Sequence, residues 1–314
     1  MVLFLLYTEM VEEFLLDCRI RNLSPKTLSS YKSQLSLVGK YIEDEFGIVE
    51  MERISKVHYK QFIIHCQETG KAIKYTNTLI KVSKVFGKYV ENEYGIQNAT
   101  RGISNLKEPK RLLNTFTDDE VRGMISYYNK AGFVNQRNKL IIEIFADAGL
   151  RAEELRNVTN LNVKEGYFQI IGKGNKERVV KISRYLEKSI LKYRRTKTGY
   201  FNNLRPQREI DDFLIVTKSG KQLQNNVLLE KIVKEACLAT GVRDEVERKS
   251  CHSLRHYYAQ KLLKNGINLY TISRLLGHSS IKTTQTYLNS LTDAEILADA
   301  DETPLMWLAR EGRL

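Results

Sequence analysis

Residues 167 to 182 read YFQIIGKGNKERVVKI, and the change of period in this stretch decides the fold class. Two apolar-rich runs flank a short loop with two glycines, a pattern typical of a β-hairpin. The run DFLIVT at 212–217 predicts a third strand. Helical periods fill the chain on both sides of these strands. The sequence therefore predicts a mainly α-helical protein with a small antiparallel β-sheet, an α+β class.

The predicted helices fall into two groups. Only helical periods occur before residue 105, including a helix that begins with Ser24 as its cap and Pro25 as its first residue and ends at Gly47. A segment with a proline and a basic cluster follows, and a new cap at Thr117 starts the next helix. The predicted divisions are a helical domain at 1–104, a linker at 105–116, a second domain at 117–290 and a tail at 291–314.

The charge of the chain favours a polyanionic partner. Its 50 Lys and Arg residues outweigh 37 Asp and Glu residues, which gives a net charge of +13 and a pI near 9.4. Residues 164–255 alone hold 21 basic against 11 acidic residues. Nucleic acid is the polyanion that such a surplus suits, although a basic surface also keeps a protein in solution.

The cysteines indicate neither a disulfide framework nor a metal site. Cys18, Cys66, Cys237 and Cys251 are scattered without a CxxC or another ligand spacing. This usage fits a reducing cytoplasm, and neither a metal nor another cofactor is predicted. The opening MVLFLLY lacks a basic start and is too short for a membrane span, so we expect a helix there and no membrane partner.

Two motifs pair an arginine with a second polar side chain. In AGLRAEEL, Arg151 and Glu154 are three residues apart, and CHSLRHYY separates His252 and Arg255 by the same step. This spacing predicts that each pair shares one helical face. Each pair alone is also typical of an ordinary polar surface.

The segment GHSSIKTTQTYLN contributes a histidine and a tyrosine. On one unbroken helix His278 and Tyr287 would point to opposite faces, because nine residues span about two and a half turns. Gly277 is a helix stop, and the serines after His278 can cap a new helix. A turn is therefore predicted between them, with His278 at a corner and Tyr287 on a separate short segment.

Together these groups suit chemistry on a phosphodiester. Guanidinium groups bind two phosphate oxygens and stay charged, so they stabilise a pentacoordinate phosphorus. A tyrosine nucleophile forms a phosphotyrosine ester, and Lys173 at the hairpin tip, or a histidine, can protonate the departing sugar oxygen. Because the ester retains the bond energy, DNA can be cut and rejoined without ATP or a divalent cation.

Four motif blocks resemble, in order, those of the tyrosine recombinases, or phage integrase family, most closely its two-domain Xer-like members. The blocks are AGLRAEEL, IIGKGNKERVVKI, HSLRHYYAQKLLKNG and ISRLLGHSSIKTTQTYLN, and LSPKTLSSYKSQL is similar to the family's helical, SAM-like core-binding domain. The resemblance covers residues 8 to 290. It implies a site-specific recombinase with a covalent 3′-phosphotyrosyl intermediate, closed as a C-shaped clamp on double-stranded DNA and acting as a tetramer on two sites.

The resemblance also implies a role for each candidate residue. Tyr287 corresponds to the nucleophile, Lys173 to the general acid, and Glu154 to a carboxylate that orients the first arginine. The implied phosphate-binding or proton-transfer groups are Arg151 and Arg255, which form the phosphate clamp, and His252 and His278.

The chain departs from the family after LRH, where a small residue is usual and this sequence has Tyr257 and Tyr258. Both follow Arg255 closely on a packed helix, so we expect them to line the core or the groove wall. Other interpretations stay open: a type IB topoisomerase-like enzyme, a hairpin resolvase, a non-cleaving DNA-binding protein of this fold, or a metal-dependent nuclease. The sequence does not distinguish integration from excision or dimer resolution.

Contacts to DNA are predicted on both domains. Basic side chains along exposed helix faces fix a protein on the phosphates, and few side chains read bases. Each candidate equally suits a solvated face. The candidates are Lys26, Ser30, Lys32, Lys81, Lys84, Lys88, Asn225 and Asn226.

The tail at 291–314 has the opposite charge, with six acidic against two basic residues, and this disfavours a phosphate backbone. Leu305, Trp307 and Leu308 follow Pro304 in a predicted first helical turn and are apolar enough to bury. In the resembling family a C-terminal segment often packs into the neighbouring protomer. We expect the same here, and the alternative is a tail folded onto its own catalytic domain.

Overall fold

The computed structural model describes residues 5–109, 114–171, 177–278, 280–285 and 288. Contacts divide the chain into two compact units, Met1–Lys110 and Arg111–Leu314. Each unit has its own hydrophobic core. No helix in these described ranges has both the length and the apolar content that a membrane crossing requires.

The first unit is helical throughout its described residues. Ser24 caps the second helix as predicted, since its Oγ accepts from the Thr27 N–H at 3.2 Å. Gly47 ends that helix in the left-handed region, which also confirms the sequence prediction. The helices are α1 Tyr7–Ile20, α2 Pro25–Phe46, α3 Lys56–Glu68 and α4 Ile73–Tyr94.

The second unit combines helices with a small sheet. Its described helices are α5 Asp118–Tyr127, α6 Phe133–Ala148, α7 Ala152–Asn157, α8 Arg184–Asn202, α9 Val227–Ala239, α10 Cys251–Lys264, α11 Leu269–Leu276 and α12 Ile281–Gln285. The strands are β1 Val163–Lys164, β2 Tyr167–Ile171 and β3 Glu177–Lys181.

Helix α6 lies at the centre of the second unit. Its segment LIIEIF is apolar on almost every side, and Leu140, Ile141, Ile142, Ile144 and Phe145 are all buried. Such a helix must be covered all round. Helices α5, α8, α9 and α10 pack against it. The two ends of α6 are therefore held firmly, and its carboxyl end leads into the candidate site.

The predicted start of α5 is confirmed by a reciprocal capping contact. Thr117 Oγ1 accepts from the Glu120 N–H at 3.2 Å, while Glu120 Oε2 accepts from the Thr117 N–H at 2.8 Å. Two residues earlier, the Thr115 hydroxyl donates to the Ser253 carbonyl on α10 at 2.8 Å. The chain thus enters the second unit fastened to the helix that carries His252 and Arg255.

The sheet confirms the predicted hairpin and the predicted fold class. Strands β2 and β3 pair antiparallel, from Tyr167 opposite Lys181 to Ile171 opposite Glu177. The third strand is β1, which pairs with β2. The described chain is thus mainly α-helical with one small antiparallel sheet.

The third strand predicted at 212–217 is wrong. The centre of the run, Leu214 to Val216, is buried as its composition suggests, but Phe213 and Val216 form only isolated bridges with Thr159 and Gln222. Two of its carbonyls are bound by long side chains from the helices and not by a neighbouring strand. Lys197 Nζ donates to the Phe213 carbonyl at 2.8 Å, and Arg137 Nη1 donates to the Val216 carbonyl at 3.2 Å.

Substitution of Gly39 by alanine tests the packing of the first unit. A Cβ at this position in α2 would lie 2.4 Å from Cε1 of Tyr7, whose buried hydroxyl donates to the Leu35 carbonyl at 3.1 Å. The ring cannot move away without losing that hydrogen bond. We expect Gly39→Ala to lower the free energy of unfolding by about 1–3 kcal/mol in chemical denaturation.

The control for this prediction is Gly199→Ala in α8. No described atom lies within 4 Å of the Cβ position at Gly199, so the substitution should be neutral or stabilise by up to about 1 kcal/mol. Equal destabilisation by the two substitutions would contradict the packing argument.

Candidate active site

The candidate site begins where α6 gives way to α7. Gly149 ends α6 with a φ of 57°, in the left-handed region, and Arg151 adopts extended backbone as the N-cap of α7. The Arg151 N–H donates to Glu154 Oε2 at 2.8 Å. Arg151 therefore precedes the helix. The sequence-based prediction that Arg151 and Glu154 share one helical face is wrong. The pair still meets, because the carboxylate reaches back to the N-cap.

Glu154 is a buried carboxylate among guanidinium groups. Arg151 Nη1 donates to Oε1 at 2.8 Å, and Arg178 of β3 binds both oxygens as a fork at 2.7 and 2.8 Å. Arg255 Nη1 lies 3.8 Å from Oε2. Burial alone would raise the pKa of Glu154, but the hydrogen bonds and charges of Arg178 and Arg151 outweigh it and lower the pKa to about 2. We call Arg151, Arg178 and Arg255 around this anion the arginine cluster.

Arg255 is the most deeply buried member of the cluster, with 1% of its surface exposed. From α10, its Nη1 donates to the Gly149 carbonyl at 2.8 Å. The ring of Tyr258 packs so closely on Gly149 that a Cβ there would lie 2.2 Å from it. Glycine is thus required at 149 both for the left-handed turn and for this contact. The contact in turn fixes the carbonyl that orients Arg255.

The arginine cluster also holds the carboxyl end of α11. The last carbonyls of a helix lack intrahelical partners and carry the negative end of its dipole, so cations are favoured there. Three consecutive carbonyls each accept from a different arginine. Leu275 O accepts from Arg178 Nε at 3.0 Å, Leu276 O from Arg255 Nη2 at 2.6 Å, and Gly277 O from Arg151 Nη2 at 3.1 Å.

His278 follows directly after this helix end. Gly277 ends α11 with a φ of 63°, so the predicted turn at this point is confirmed. His278 Nδ1 lies 2.8 Å from Thr284 Oγ1 on α12. Burial lowers the pKa of His278 to about 4, and the positive charges of Arg255 and Arg151 contribute. The imidazole is therefore neutral at pH 7, and it can donate or accept a hydrogen bond without adding charge.

The second candidate histidine, His252, lies in the first turn of α10, one turn before Arg255, and is exposed. Its ring meets that of His256 edge to face, with centroids 4.2 Å apart. Burial lowers the pKa of His256 to about 3, with His252 contributing to the shift. His252 also contributes to the lowered pKa of His278. Both predicted histidines therefore lie within electrostatic reach of each other.

Comparison with known sequences identifies the chain. Residues 114–293 match the family described as "Phage integrase family", and residues 11–92 match "Phage integrase, N-terminal SAM-like domain". The first match alone spans more than half of the chain. The chain belongs to the phage integrase family. The resemblance carried by the four motif blocks is thereby confirmed.

Relatives of this integrase-family protein agree in sequence and fold. Tyrosine recombinase XerD of Oceanobacillus iheyensis is 30% identical over 285 residues, which cover 88% of this chain and 92% of the relative. The crystal structure of XerH bound to a palindromic difH substrate, a post-cleavage complex, matches with a TM-score of 0.72 and 20% identity over 93% of this chain and 83% of that chain. A lambda integrase tetramer bound to a Holliday junction matches with a TM-score of 0.72 and 16% identity, covering 91% and 78%.

The structure places the predicted site residues as follows. Four of them meet around the arginine cluster, and His252 lies one helical turn away. Lys173 and Tyr287 lie outside the described residues. Within the part of the chain that the structure describes, no group of three His, Cys, Asp or Glu side chains could hold a metal ion. The four that meet are Arg151, Glu154, Arg255 and His278.

Sequence reasoning missed Arg178. The residues on either side of it along β3 are exposed, whereas Arg178 and Val180 point inward. A charged residue at an inward position of a predicted strand must find a buried partner. That alternation was the signal in the sequence, but nothing local to the hairpin identifies Glu154 as the partner.

The two additional tyrosines of α10 have packing roles, as expected. Tyr257 donates to Asp118 Oδ1 at 2.9 Å and so ties α10 to the start of α5. Tyr258 is buried against Gly149, and burial raises its pKa to about 12. Neither is poised to ionise at neutral pH.

The predicted DNA-contact residues lie on helices α2, α4 and the start of α9, and their roles stay predictions. One of them, Lys32, forms an ion pair with Glu12 at 2.7 Å. Lys26, Lys32, Lys81, Lys88 and Asn225 are exposed, and Ser30, Lys84 and Asn226 are partly exposed.

Substitution of Glu154 by glutamine tests the electrostatics of the cluster. Because the folded-state pKa of about 2 lies below the ordinary 4.5, the ionised carboxylate stabilises the fold above pH 4.5, and this stabilisation is lost as the pH falls towards 2. The difference corresponds to about 3 kcal/mol. We expect Glu154→Gln to lower the free energy of unfolding at pH 7, and the gap to wild type to narrow below pH 4.5.

Denaturation at a series of pH values measures this gap. Glu153→Gln is the control, because Glu153 is the exposed neighbour on the same helix and should change little at any pH. A gap for Glu154→Gln that stays constant down to pH 3 would show that its charge is not what stabilises the fold.

Proposed function

We propose that this protein is a site-specific DNA recombinase that cuts and rejoins DNA strands through a covalent 3′-phosphotyrosyl intermediate on Tyr287. The observation that carries the proposal is the arginine cluster, in a chain of the phage integrase family. Arg151, the N-cap of α7, and Arg255 of α10 are held against one anion beside a neutral histidine. Such fixed guanidinium groups suit a phosphate that gains negative charge in the transition state.

The two proposed clamp arginines differ in exposure. The side chain of Arg151 is 39% exposed, whereas that of Arg255 is only 2% exposed. A guanidinium has five N–H groups, and Glu154 and Gly277 each accept from one nitrogen of the Arg151 side chain. Arg151 therefore retains N–H groups for a phosphate at the surface. Arg255 supplies positive charge from the protein interior and binds the Gly149 and Leu276 carbonyls.

The proposed reaction balances without water, metal or ATP. The Tyr287 hydroxyl oxygen bonds to phosphorus and gives up its proton, and the bond from phosphorus to the 5′ oxygen breaks. The 5′ oxygen leaves as a hydroxyl after it takes a proton from Lys173 or a histidine. A 5′-hydroxyl from a second strand then attacks the phosphotyrosine and restores a phosphodiester. In this scheme neutral His278 donates a hydrogen bond to a phosphate oxygen or accepts the tyrosine proton.

The proposed substrate is a pair of double-stranded DNA sites, held by a tetramer. The net charge of +13 supports a polyanionic partner, and the lambda integrase of the same fold has been solved as a tetramer on a Holliday junction. Integration, excision and dimer resolution all use this chemistry. Sequencing of recombined DNA junctions identifies both the site and the task.

Replacement of the proposed nucleophile tests the function. Tyr287→Phe removes one oxygen, so half-site binding should stay within a few-fold of wild type while the covalent adduct is lost. The measurement is trapping on a nicked suicide substrate built on a site recovered from recombined junctions. Tyr257→Phe is the control and should still form the adduct. An adduct formed by Tyr287→Phe and lost in Tyr257→Phe would overturn the assignment.

Truncation after Leu291 tests the proposed role of the tail in assembly. The tail has the wrong charge for DNA, so its loss should leave binding to one half-site within a few-fold. Cooperative pairing on a full site and strand exchange should be abolished. The control is truncation after Glu311, which keeps Leu305, Trp307 and Leu308. This protein should retain cooperative pairing and strand exchange. If the protein truncated after Leu291 still forms synaptic tetramers and recombines at the full-length rate, the tail has no intermolecular role.

A further inference from the structure

We infer that Arg178 is a positioning residue for strand cleavage, which orients Arg151 through Glu154 and His278 through the carboxyl end of α11. The inference rests on the proposed function. It gives a role to a side chain that the recombinase motif roles leave unassigned.

The contacts of Arg178 face inward. Its Nη1 and Nη2 donate to the two oxygens of Glu154, and its Nε donates to the Leu275 carbonyl. All three nitrogens of the guanidinium therefore have acceptors inside the protein, and the side chain is only 11% exposed. Arg151, by contrast, shares the same carboxylate and is 39% exposed. Arg178 thus holds the anion, and Arg151 is the member of the pair that can reach a phosphate.

Arg178 also supports the residue that precedes His278. A Cβ at Gly277 would lie 2.9 Å from Cδ and 3.0 Å from Nε of Arg178, so the backbone of Gly277 rests directly on this side chain. The carbonyl oxygen of the same Gly277 accepts from Arg151 Nη2. One side chain therefore touches both supports of the proposed site, the carboxylate under Arg151 and the helix end before His278.

The charge balance explains why an arginine is needed at this position. Glu154 faces Arg151 at the start of α7, Arg178 from β3 and Arg255 from α10, and His278 lies within electrostatic reach of the same three arginines. Of the three arginines in the cluster, Arg178 alone binds both carboxylate oxygens with its guanidinium group, and it is the leading cause that lowers the carboxyl pKa against burial. Without it, Glu154 takes up a proton more readily. A protonated Glu154 attracts Arg151 less strongly, so the guanidinium group of Arg151 is held less firmly in position.

The first experiment compares Arg178→Met and Arg178→Lys in single-turnover adduct formation on the nicked suicide substrate. Lysine keeps a charge but loses the fork, so it should retain more activity than methionine. We expect a fall on the order of 10²-fold for methionine and about 10-fold for lysine, because small displacements of reacting groups have effects of this size. Half-site binding should stay within a few-fold. Lys181→Met removes an exposed charge from the same strand and should cleave at the wild-type rate.

The second experiment separates positioning from simple structural support. Between pH 5 and 9 Glu154 stays ionised and His278 stays neutral in wild type, because their pKa values of about 2 and about 4 lie below this range. In Arg178→Met the carboxyl pKa rises, and the rate should fall further below wild type as the pH is lowered. In a Glu154→Gln background this pH-dependent loss should vanish, and adding Arg178→Met should slow cleavage less than it does in wild type, because only the contact with the carboxyl end of α11 is then lost.

The outcomes distinguish this inference from the proposed function. If wild type forms no adduct, the proposed function fails. If wild type forms the adduct and both Arg178 variants match its rate, the positioning role is wrong and the function stands. The inference is also overturned if the Arg178 variants cleave more slowly but keep the pH profile of wild type, and if the loss of rate is the same with Glu154 as in the Glu154→Gln background. Such a result would mean that Arg178 has only a structural role. Where the methionine variant does not fold, the lysine variant and its pH profile decide.

Discussion

The buried carboxylate of Glu154 is the constraint on which the rest of the candidate site depends. It lies beneath three guanidinium groups that would otherwise repel one another, since like charges held together in a protein interior are costly. Arg178 binds it as a fork, Arg151 binds it through backbone and side chain, and Arg255 lies 3.8 Å away. Removal of this one anion leaves three positive charges without a counterion. The cluster is therefore a single unit rather than a set of independent residues.

Helix ends supply the remaining partners of the cluster. The Gly149 carbonyl lies at the end of α6, and three successive carbonyls lie at the end of α11. These carbonyls lack partners within their helices, and the arginines of the cluster supply the donors. Neither set is satisfied without the other. The two left-handed glycines, Gly149 and Gly277, turn the chain at these points and also allow Tyr258 and Arg178 to approach closely. This reciprocity explains why the site is built from glycines and arginines that are distant in sequence.

Sequence alone predicted the features that depend on local physics. The caps at Ser24 and Thr117 and the hairpin were correct because adjacent residues determine them. The strand predicted at 212–217 was wrong because the segment forms only isolated bridges, and Lys197 and Arg137, from distant helices, bind two of its carbonyls. Arg178 was missed for the same reason: its partners lie 24 and 97 residues away in the chain. The motif blocks supplied the family and the candidate residues, but only the fold shows which carboxylate and which carbonyls hold them.

The cluster also helps to keep the neighbouring His278 and His256 neutral. In the proposed reaction the arginines therefore bind the phosphate, and a histidine can transfer the proton. Burial and the positive charges of Arg255 and Arg151 lower the pKa of His278 to about 4, and burial lowers that of His256 to about 3. Near neutral pH these imidazoles carry no charge, so the attraction for a phosphate comes from guanidinium groups that do not titrate. The positive field of the cluster therefore stays constant from pH 5 to 9. A proton accepted at His278 adds positive charge only briefly, because an imidazolium beside fixed cations returns its proton readily.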